Sequence, residues 1–512
     1  MDIRGLMRRA VNFNSEREAI VHGERRLTFA QSWQRGLRLA NALLGMGLKP
    51  GDRVGSLEDN GIAAVDFFLA ATIANLVRVP LYPRNSAETH GHMLGHTVCR
   101  AVIAASEYVS ELDGLLEALP KLEKIICRDD GYENWLAGFP DDDPDVPVAP
   151  DDYFIVRHTG GTTGLPKGVA YTHRAWLAAG RDWTFLFPPI EPGDKCLHIA
   201  PISHGSGYLF VPMWLSGACN VLLDHFDAGA ALACIEAEPI QYLFVVPAML
   251  NLMNRDPKAR SRDFSKLKCM QVGAAPIADD TALTAREIFG DTLWQGYGQT
   301  EAVPVTMMGP RQWFAEIEGS EPLRSCGLVL PFADVEIWDE NNKPLAQGEE
   351  GEIALRCDGQ MAGFWDDPEA TAERMVDGWV LTGDIGMIDR NGYLYLLDRA
   401  GDMIVSGGYN IYPAELENVL CDHGDIVEAA VFAVPDEHWG ESTMAVCMVS
   451  ENSAVTAEEL IAFCAERLGS YKRPKAVLLT SEPLPKSAVG KIQRKVLREP
   501  YWEGHERRIS GN

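Results

Sequence analysis

No two of the eleven cysteines stand at a CxxC spacing. Cys99, Cys196, Cys269 and Cys447 are scattered as packing residues are, which argues against a disulfide framework and a zinc site and fits a reducing, cytoplasmic setting. Positive charge is scarce: 46 Lys and Arg face 73 Asp and Glu, for a formal net charge of -27. Such a surface repels nucleic acid and anionic membranes, so neither is expected as a bulk partner. An anionic ligand must then meet a local positive site. Long apolar runs are lacking too. The most apolar stretch, Gly61 to Tyr82, is interrupted by Asp66 and Arg78 and reads as a buried helix and strand, so no integral membrane segment is expected. Met1 to Ala10 carries arginines with no apolar run behind them, and no signal peptide is expected. Repeats and low-complexity tracts are absent. The oligomeric state stays open, with a homodimer among the options.

What is present is a 512-residue chain with 46% hydrophobic and 23% charged residues, an ordinary globular composition. That length implies about two to four domains or subdomains. The most informative stretch runs from Arg157 through His158, Thr159, Gly160, Gly161, Thr162, Thr163, Gly164, Leu165, Pro166 and Lys167 to Gly168. Glycines let the backbone approach a ligand, threonines supply hydroxyls, and the lysine adds a mobile charge, so the stretch reads as a phosphate cradle. It differs from the common P-loop because Lys167 follows Pro166 and no Ser or Thr follows it. Tyr153 to Val156 and Val169 to Tyr171 read as strands, so the loop should join two strands.

In order along the chain, Thr28 and Gln31 make a capping box for a helix carrying Trp33, Leu37, Ala40 and Leu44, stopped by Gly47 and Pro50. A strand at Arg53 to Leu57, a helix through Phe68 to Asn75 and a strand near Val77 to Leu81 follow. The Asp- and Pro-rich segment Asp141 to Asp152 reads as a solvated connection. A second α/β run has strands at Cys196 to Ala200, Ala218 to Leu223, Tyr242 to Val246 and Lys268 to Val272. Three turns, Pro201 to Gly205, Val272 to Pro276 and Gln295 to Glu301, are expected to share one crevice with the phosphate loop, because ligands of open α/β sheets gather at the carboxyl ends of strands. From Arg324 the pattern changes to short strands (Val335 to Trp338, Gly351 to Arg356, Tyr393 to Leu397) and reads as a small β subdomain. Beyond a break at Asp398 to Asp402 lies a compact unit: a helix opened by Pro413, strands at Val427 to Val434 and Met444 to Val449, a helix capped by Thr456 and Glu459 that ends at Gly469, and a strand at Ala476 to Thr480. The fold expected is α/β, with a large multi-subdomain N-terminal domain over residues 1–398 (two α/β layers and the small β subdomain) and a smaller, mobile α+β domain over 399–512.

With five motifs in order, namely Thr159 to Gly168, Tyr297 to Glu301, Leu381 to Asp384, Arg399 to Glu417 and Pro485 to Lys491, the chain resembles the superfamily of adenylate-forming enzymes: acyl-CoA synthetases, aryl-CoA ligases, firefly luciferase and peptide-synthetase adenylation domains. The resemblance implies two steps. A carboxylate attacks the α-phosphorus of ATP to give an acyl-adenylate and pyrophosphate, and a thiol then displaces AMP. It assigns Thr159, Gly161, Thr162, Thr163, Gly164 and Lys167 to the β- and γ-phosphates, and Glu301 to Mg2+, a hard cation that takes oxygen ligands. It places Tyr297, Gly298, Thr300 and the turn Gly273, Ala274, Ala275 around the nucleotide, with Asp384 and Arg399 at the ribose. Lys491 matches the lysine that bridges the carboxylate and the α-phosphate, and catalysis falls to Lys491, Glu301, Thr162 and His204. Asp402 matches a hinge. Ser406, Gly407 and Gly408 match the passage for the pantetheine arm, and Trp439, Tyr471, Arg473 and Lys475 match contacts to the nucleotide of coenzyme A. Two departures stand out: Gly160 replaces the usual serine, and Gly401 precedes the hinge where a charged residue is usual.

Three functions compete: an acid:CoA ligase, a loading enzyme for the phosphopantetheine of a carrier protein, and a non-catalytic or luciferase-like relative. The cluster of Trp439 and Tyr471 to Lys475 favours CoA. Ser203 and His204 replace the Phe-Asp pair of amino-acid-activating relatives, so amino acids are disfavoured and His204 should line the carboxylate end of the pocket. The expected wall of Phe210, Val246, Gly273, Ala274, Gly296 and Val303 is apolar and suits a small hydrophobic acid that is aromatic, alicyclic or medium-chain.

Overall fold

The computed structural model describes residues 2–159, 166–399, 402–406, 409–436, 440–451, 453–468, 472–486 and 491–502. Helix α1 (Phe29–Gly45) starts with the capping box read from sequence. The Thr28 hydroxyl accepts from the Gln31 amide N–H at 3.1 Å, and the Gln31 side-chain oxygen accepts from the Thr28 N–H at 2.9 Å. Strand β1 (Arg53–Leu57) leads into helix α2 (Ile62–Ile73) and strand β2 (Val77–Pro80). Helix α2 begins earlier than the sequence reading, directly after Gly61, and its end is set by Asn75 at φ 53. Nearly every residue of α2 is buried, including Asp66, which Arg35 grips with two hydrogen bonds at 2.9 and 2.7 Å. Burial still pushes the Asp66 carboxyl up to about 6. The apolar stretch is therefore a core helix followed by a strand, and no helix among the described residues is long and apolar enough to cross a membrane.

After helix α3 (Ala87–His96), strands β3 (Tyr153–Thr159) and β4 (Lys167–Thr172) form the hairpin whose tip is the phosphate loop. They belong to a seven-stranded sheet in the order 363–364, β4, β3, β2, β1, 101–105, 124–128. Helices α4 (His173–Thr184) and α5 (Gly207–Leu215) separate it from a fourteen-stranded sheet. The centre of that larger sheet is the parallel run β5 (Tyr242–Val245), β6 (Cys269–Gly273) and β7 (Leu293–Gln299), followed by antiparallel β8 (Ala302–Met308). Two sequence readings change here. Gln295 to Gln299 is strand, with only Thr300 and Glu301 left as the turn to β8. The expected β subdomain, which includes β9 (Trp379–Ile388) and β10 (Tyr393–Arg399), is hydrogen-bonded to the large sheet through the short strand Gly327–Val329. It continues that sheet rather than standing apart.

The C-terminal unit holds helix α6 (Pro413–Cys421), the long hairpin of β11 (Ile426–Asp436) and β12 (Gly440–Val449), parallel β13 (Ala476–Thr480) and helix α7 (Arg494–Trp502). The Thr456–Glu459 box caps helix Ala457–Leu468; Gly469, read as its end, lies outside the described residues. The unit rests on the large domain through Arg255, whose Nη2 donates to the Ile426 carbonyl at 2.9 Å, and Tyr412, whose hydroxyl donates to Glu350 at 3.0 Å. All eleven cysteines are free thiols.

Candidate active site

Central strands of a covered sheet should be sealed, and β6 and β8 are buried at every residue. Strand β7 lies between them, yet every residue after Leu293 is partly exposed. The cause is a set of missing side chains: a Cβ at Gly273 would stand 2.9 Å from the Gly296 carbonyl oxygen, and one at Gly298 would stand 2.9 Å from the Ala302 carbonyl oxygen. A crevice therefore opens at the carboxyl ends of β6 and β7, the place where open α/β sheets bind ligands. Ala274, at φ 71, and Ala275 form its exposed lip.

The phosphate hairpin faces this region in the register His158 opposite Gly168 and Thr159 opposite Lys167. Gly161, Thr162, Thr163 and Gly164 lie outside the described residues. Thr159 is half-buried at the end of β3; Lys167 is exposed, with its ammonium 3.9 Å from Asp367 and 5.4 Å from the centre of the Phe364 ring. Beneath the loop, His158 packs against His96 (Nε2 to Nδ1, 3.2 Å), and burial pushes its imidazole down to about 3.

The β7–β8 turn is fixed from two sides. The Tyr171 hydroxyl donates to the Thr300 carbonyl at 2.6 Å, and the Met361 N–H donates to the Glu301 carbonyl at 2.7 Å. The Glu301 side chain is 7% exposed and, among the described residues, has no Lys, Arg or His within ion-pair distance. A desolvated carboxylate without a counter-charge suits a hard cation. No cluster of three or more His, Cys, Asp or Glu able to hold a metal exists among the described residues, so Glu301 could hold Mg2+ only together with oxygens of a bound phosphate.

Asp384, buried on β9 opposite Arg399 of β10, accepts from the Tyr297 hydroxyl at 2.6 Å and from the Gln299 amide at 2.5 Å. Burial, and then the Asp384 charge, raise the Tyr297 hydroxyl well above its ordinary value, so it remains a donor. His204 sits in the turn before α5, with Nδ1 3.2 Å from the Tyr82 hydroxyl. Burial holds its imidazole well below the usual range, and the charges of Arg157 and Lys491 press the same way. The charge of Lys491 on the C-terminal segment is thus felt at His204, as is that of Arg157 on the phosphate hairpin. The Arg157 guanidinium is fully buried and, among the described residues, has no carboxylate at ion-pair distance; Nη2 donates to the Tyr208 hydroxyl, which donates to the Tyr171 hydroxyl at 3.4 Å. A chain of hydrogen bonds therefore runs from Arg157 through Tyr208 and Tyr171 to the Thr300 carbonyl, joining phosphate hairpin, α5 and the Glu301 turn.

Residues 7–365 match the model of the AMP-binding enzyme family, and 415–491 match the AMP-binding enzyme C-terminal domain. The chain belongs to the AMP-binding enzyme family. It is 35% identical to a feruloyl-CoA synthase from an Amycolatopsis species over 94% of this chain and 96% of the relative. It is 31% identical to the long-chain-fatty-acid–CoA ligase FadD13 of Mycobacterium tuberculosis over 93% of both chains. Among solved structures, the amide bond synthetase McbA from Marinactinospora thermotolerans superposes with a TM-score of 0.87 at 28% identity, covering 98% of this chain and 100% of that one.

Of the positions read from sequence, this AMP-binding enzyme brings Glu301, Thr300, Gly298, Tyr297, Gly273, Asp384 and His204 together at the crevice, and the charge of Lys491 acts on His204. The Arg399 side chain lies outside the described residues, and its backbone pairs opposite Asp384. On the C-terminal unit, Ser406 pairs opposite Gly440, Asp402 lies 3.1 Å from Arg494 and 3.7 Å from Arg498, and Arg473 and Lys475 are exposed on the approach to β13. Gly407, Gly408, Trp439 and Tyr471 lie outside the described residues. Phe210 departs from the reading as a pocket wall: it fills the core between Phe68 and Trp214, with ring centres at 4.6 and 6.0 Å. The role of Arg157 and the presence of Tyr208 and Gln271 went unread. Their one signal was polarity inside apolar runs, as in Tyr153 to Val156 followed by Arg157, and Met270-Gln271-Val272.

Proposed function

We propose that this enzyme is an AMP-forming carboxylic acid:CoA ligase whose acid is hydrophobic and planar. The observation that carries the reading is the meeting, over β7, of a buried carboxylate with no Lys, Arg or His at ion-pair distance among the described residues (Glu301) and a buried aspartate that accepts from Tyr297 and Gln299 (Asp384), beside a His204 that feels the charges of Arg157 and Lys491. A buried carboxylate that accepts from the Tyr297 hydroxyl and the Gln299 amide suits the hydroxyls of a ribose. A carboxylate entering beside His204 meets two cations, which orient it toward the α-phosphorus and screen the charge that builds there as the anhydride forms. The half-buried imidazole, held well below its usual range, offers a neutral edge to the acid. Thr159, Lys167 and the loop between them hold the outer phosphates, and Glu301 with phosphate oxygens would hold Mg2+, which supplies charge neutralisation there.

Similarity to a feruloyl-CoA synthase and to a fatty-acid–CoA ligase supports CoA as acceptor over a carrier protein. Residues 1–398 and 399–512 act as two domains turning at Asp402, so that Lys491 serves adenylation and the side with Ser406, Arg473 and Lys475 serves the thiol step. The acidic surface and free thiols support a cytoplasmic location. The test is to supply ATP, Mg2+ and a panel of benzoates, cinnamates, straight-chain and polycyclic acids, with CoA or a carrier-protein phosphopantetheine as acceptor. Acid-dependent pyrophosphate release followed by CoA-dependent AMP release is expected. Thioester formed only on the carrier protein, or release with small hydrophilic acids alone, contradicts the reading.

A further inference from the structure

Alternate residues of β5, β6 and β7 face helices α4 and α5. The register sets Phe244 beside Gln271 and Gly273 beside Gly296. Opposite them, Trp183 of α4 lies flat on Tyr208 of α5, with centres 4.8 Å apart and planes at 12°, and turns an edge to Phe244 at 5.8 Å. The Phe244 ring links this wall to the His204 turn: a Cβ at Gly205 would stand 3.0 Å from it and one at Gly273 3.7 Å. An aromatic wall therefore leads inward from His204.

One group in this wall is out of character. Gln271 is 1% exposed, and its Oε1 accepts a hydrogen bond from Trp183 Nε1. An indole N–H can only donate, so the amide has one orientation, with Nε2 turned away from Trp183. Nε2 stands 3.2 Å from the place a Cβ at Gly296 would take, over a half-exposed glycine on the strand that opens to the crevice. No acceptor among the described residues meets it. A donor that reaches an open strand beside the crevice without a protein acceptor is placed to meet an acceptor on a ligand.

We propose that Gln271 is the specificity-determining group of the acid pocket, and that it selects aromatic acids bearing a hydrogen-bond acceptor, a hydroxyl, ether or carbonyl oxygen, away from the carboxylate. This rests on the acid:CoA ligase reading. Trp183 is the positioning residue: its indole holds the amide so that the donors, not the oxygen, face the substrate.

The experiment compares pairs of ring-substituted cinnamic and benzoic acids, one member carrying hydroxyl or methoxy and its partner a methyl or ethyl group of matching size. Acid-dependent pyrophosphate release gives kcat/KM for each. The wild-type enzyme should favour the oxygen-bearing member of at least one pair by about tenfold. Gln271→Leu should bring that ratio to about one, and Gln271→Glu, which keeps the shape but loses the donors, should turn it against the ether. Because the ratio is taken within one preparation, a misfolded fraction cancels. Equal turnover of both members of every pair by the wild type, or a preference that survives Gln271→Leu, overturns the proposal alone. Absence of acid-dependent pyrophosphate release from every acid overturns the ligase reading and the subsite with it.

Discussion

The body up to Arg399 keeps its chemistry inside: Glu301 is 7% exposed, Asp384 4%, and His204 is half-buried beside Tyr82. The C-terminal unit keeps its chemistry outside, with Lys491, Arg473 and Lys475 all exposed. Buried groups are fixed by neighbours, as Asp384 is by Tyr297 and Gln299, and can be oriented before any ligand arrives. An exposed lysine on a terminal segment is placed only by the packing of its whole unit. On the proposed function, the body builds the binding geometry and the small unit decides when charge is delivered to it. Its internal anchor is Arg494, which ties Asp402 to Glu417 through hydrogen bonds at 3.1 and 2.7 Å.

If that division is right, substitutions in the two regions should fail differently. Lys491→Ala should slow acyl-adenylate formation by about a thousandfold while thioester formation from a supplied acyl-adenylate stays close to wild type. Equal loss of both half-reactions, measured by rapid quench, would erase the distinction. Glu301→Gln, in the body, should cut adenylation by about a hundredfold and raise the Mg2+ concentration needed for half-maximal rate. An unchanged Mg2+ dependence would remove Glu301 from the metal's ligands. Arg494→Ala leaves half-buried Glu417 without its arginine and Asp402 with the more distant Arg498, and should cost the C-terminal unit about 2 kcal/mol in urea unfolding, with ATP affinity of the body unchanged.

The smallest effect concerns acid. His158, His173 and His198 are buried with imidazoles pushed down to about 3, 4 and 4, and His204 lies well below its ordinary value. Each folded pKa lies below the unfolded one, near 6.5, so below that pH the unfolded chain takes up protons that the folded chain refuses. Stability is complete above about pH 6.5 and falls as pH drops, by about 1.4 kcal/mol per unit for each histidine. His158→Gln should therefore lose about 1 kcal/mol less than wild type between pH 6 and pH 5, read from urea midpoints. Parallel curves would place the acid sensitivity elsewhere.

Local signals made much of this legible. The Thr28 box, the Tyr153 and Lys167 strands and the Pro413 helix start are decided within a few residues, and the structure has them close to where the sequence puts them. Long-range pairing was not legible. Gln295 to Gln299 reads as a turn because of its glycines, yet those glycines exist because strand neighbours crowd the backbone at Gly296 and Gly298. The partnership of Lys167 with Asp367 joins residues far apart in sequence, as does the hold of Tyr171 on Thr300. Arg157 and Gln271 show only as polar residues in apolar strands, and their neighbours Tyr208 and Trp183 come from helices that sequence pattern cannot dock.

Mixing the enzyme with ATP, Mg2+ and a turned-over aromatic acid in the absence of CoA, and quenching within the first turnover, tests the central claim most directly. The account predicts a burst of pyrophosphate and of enzyme-bound acyl-adenylate, close to one per chain, with AMP and thioester appearing only when CoA is added. Release of ADP and phosphate, or no burst until CoA is present, would contradict it.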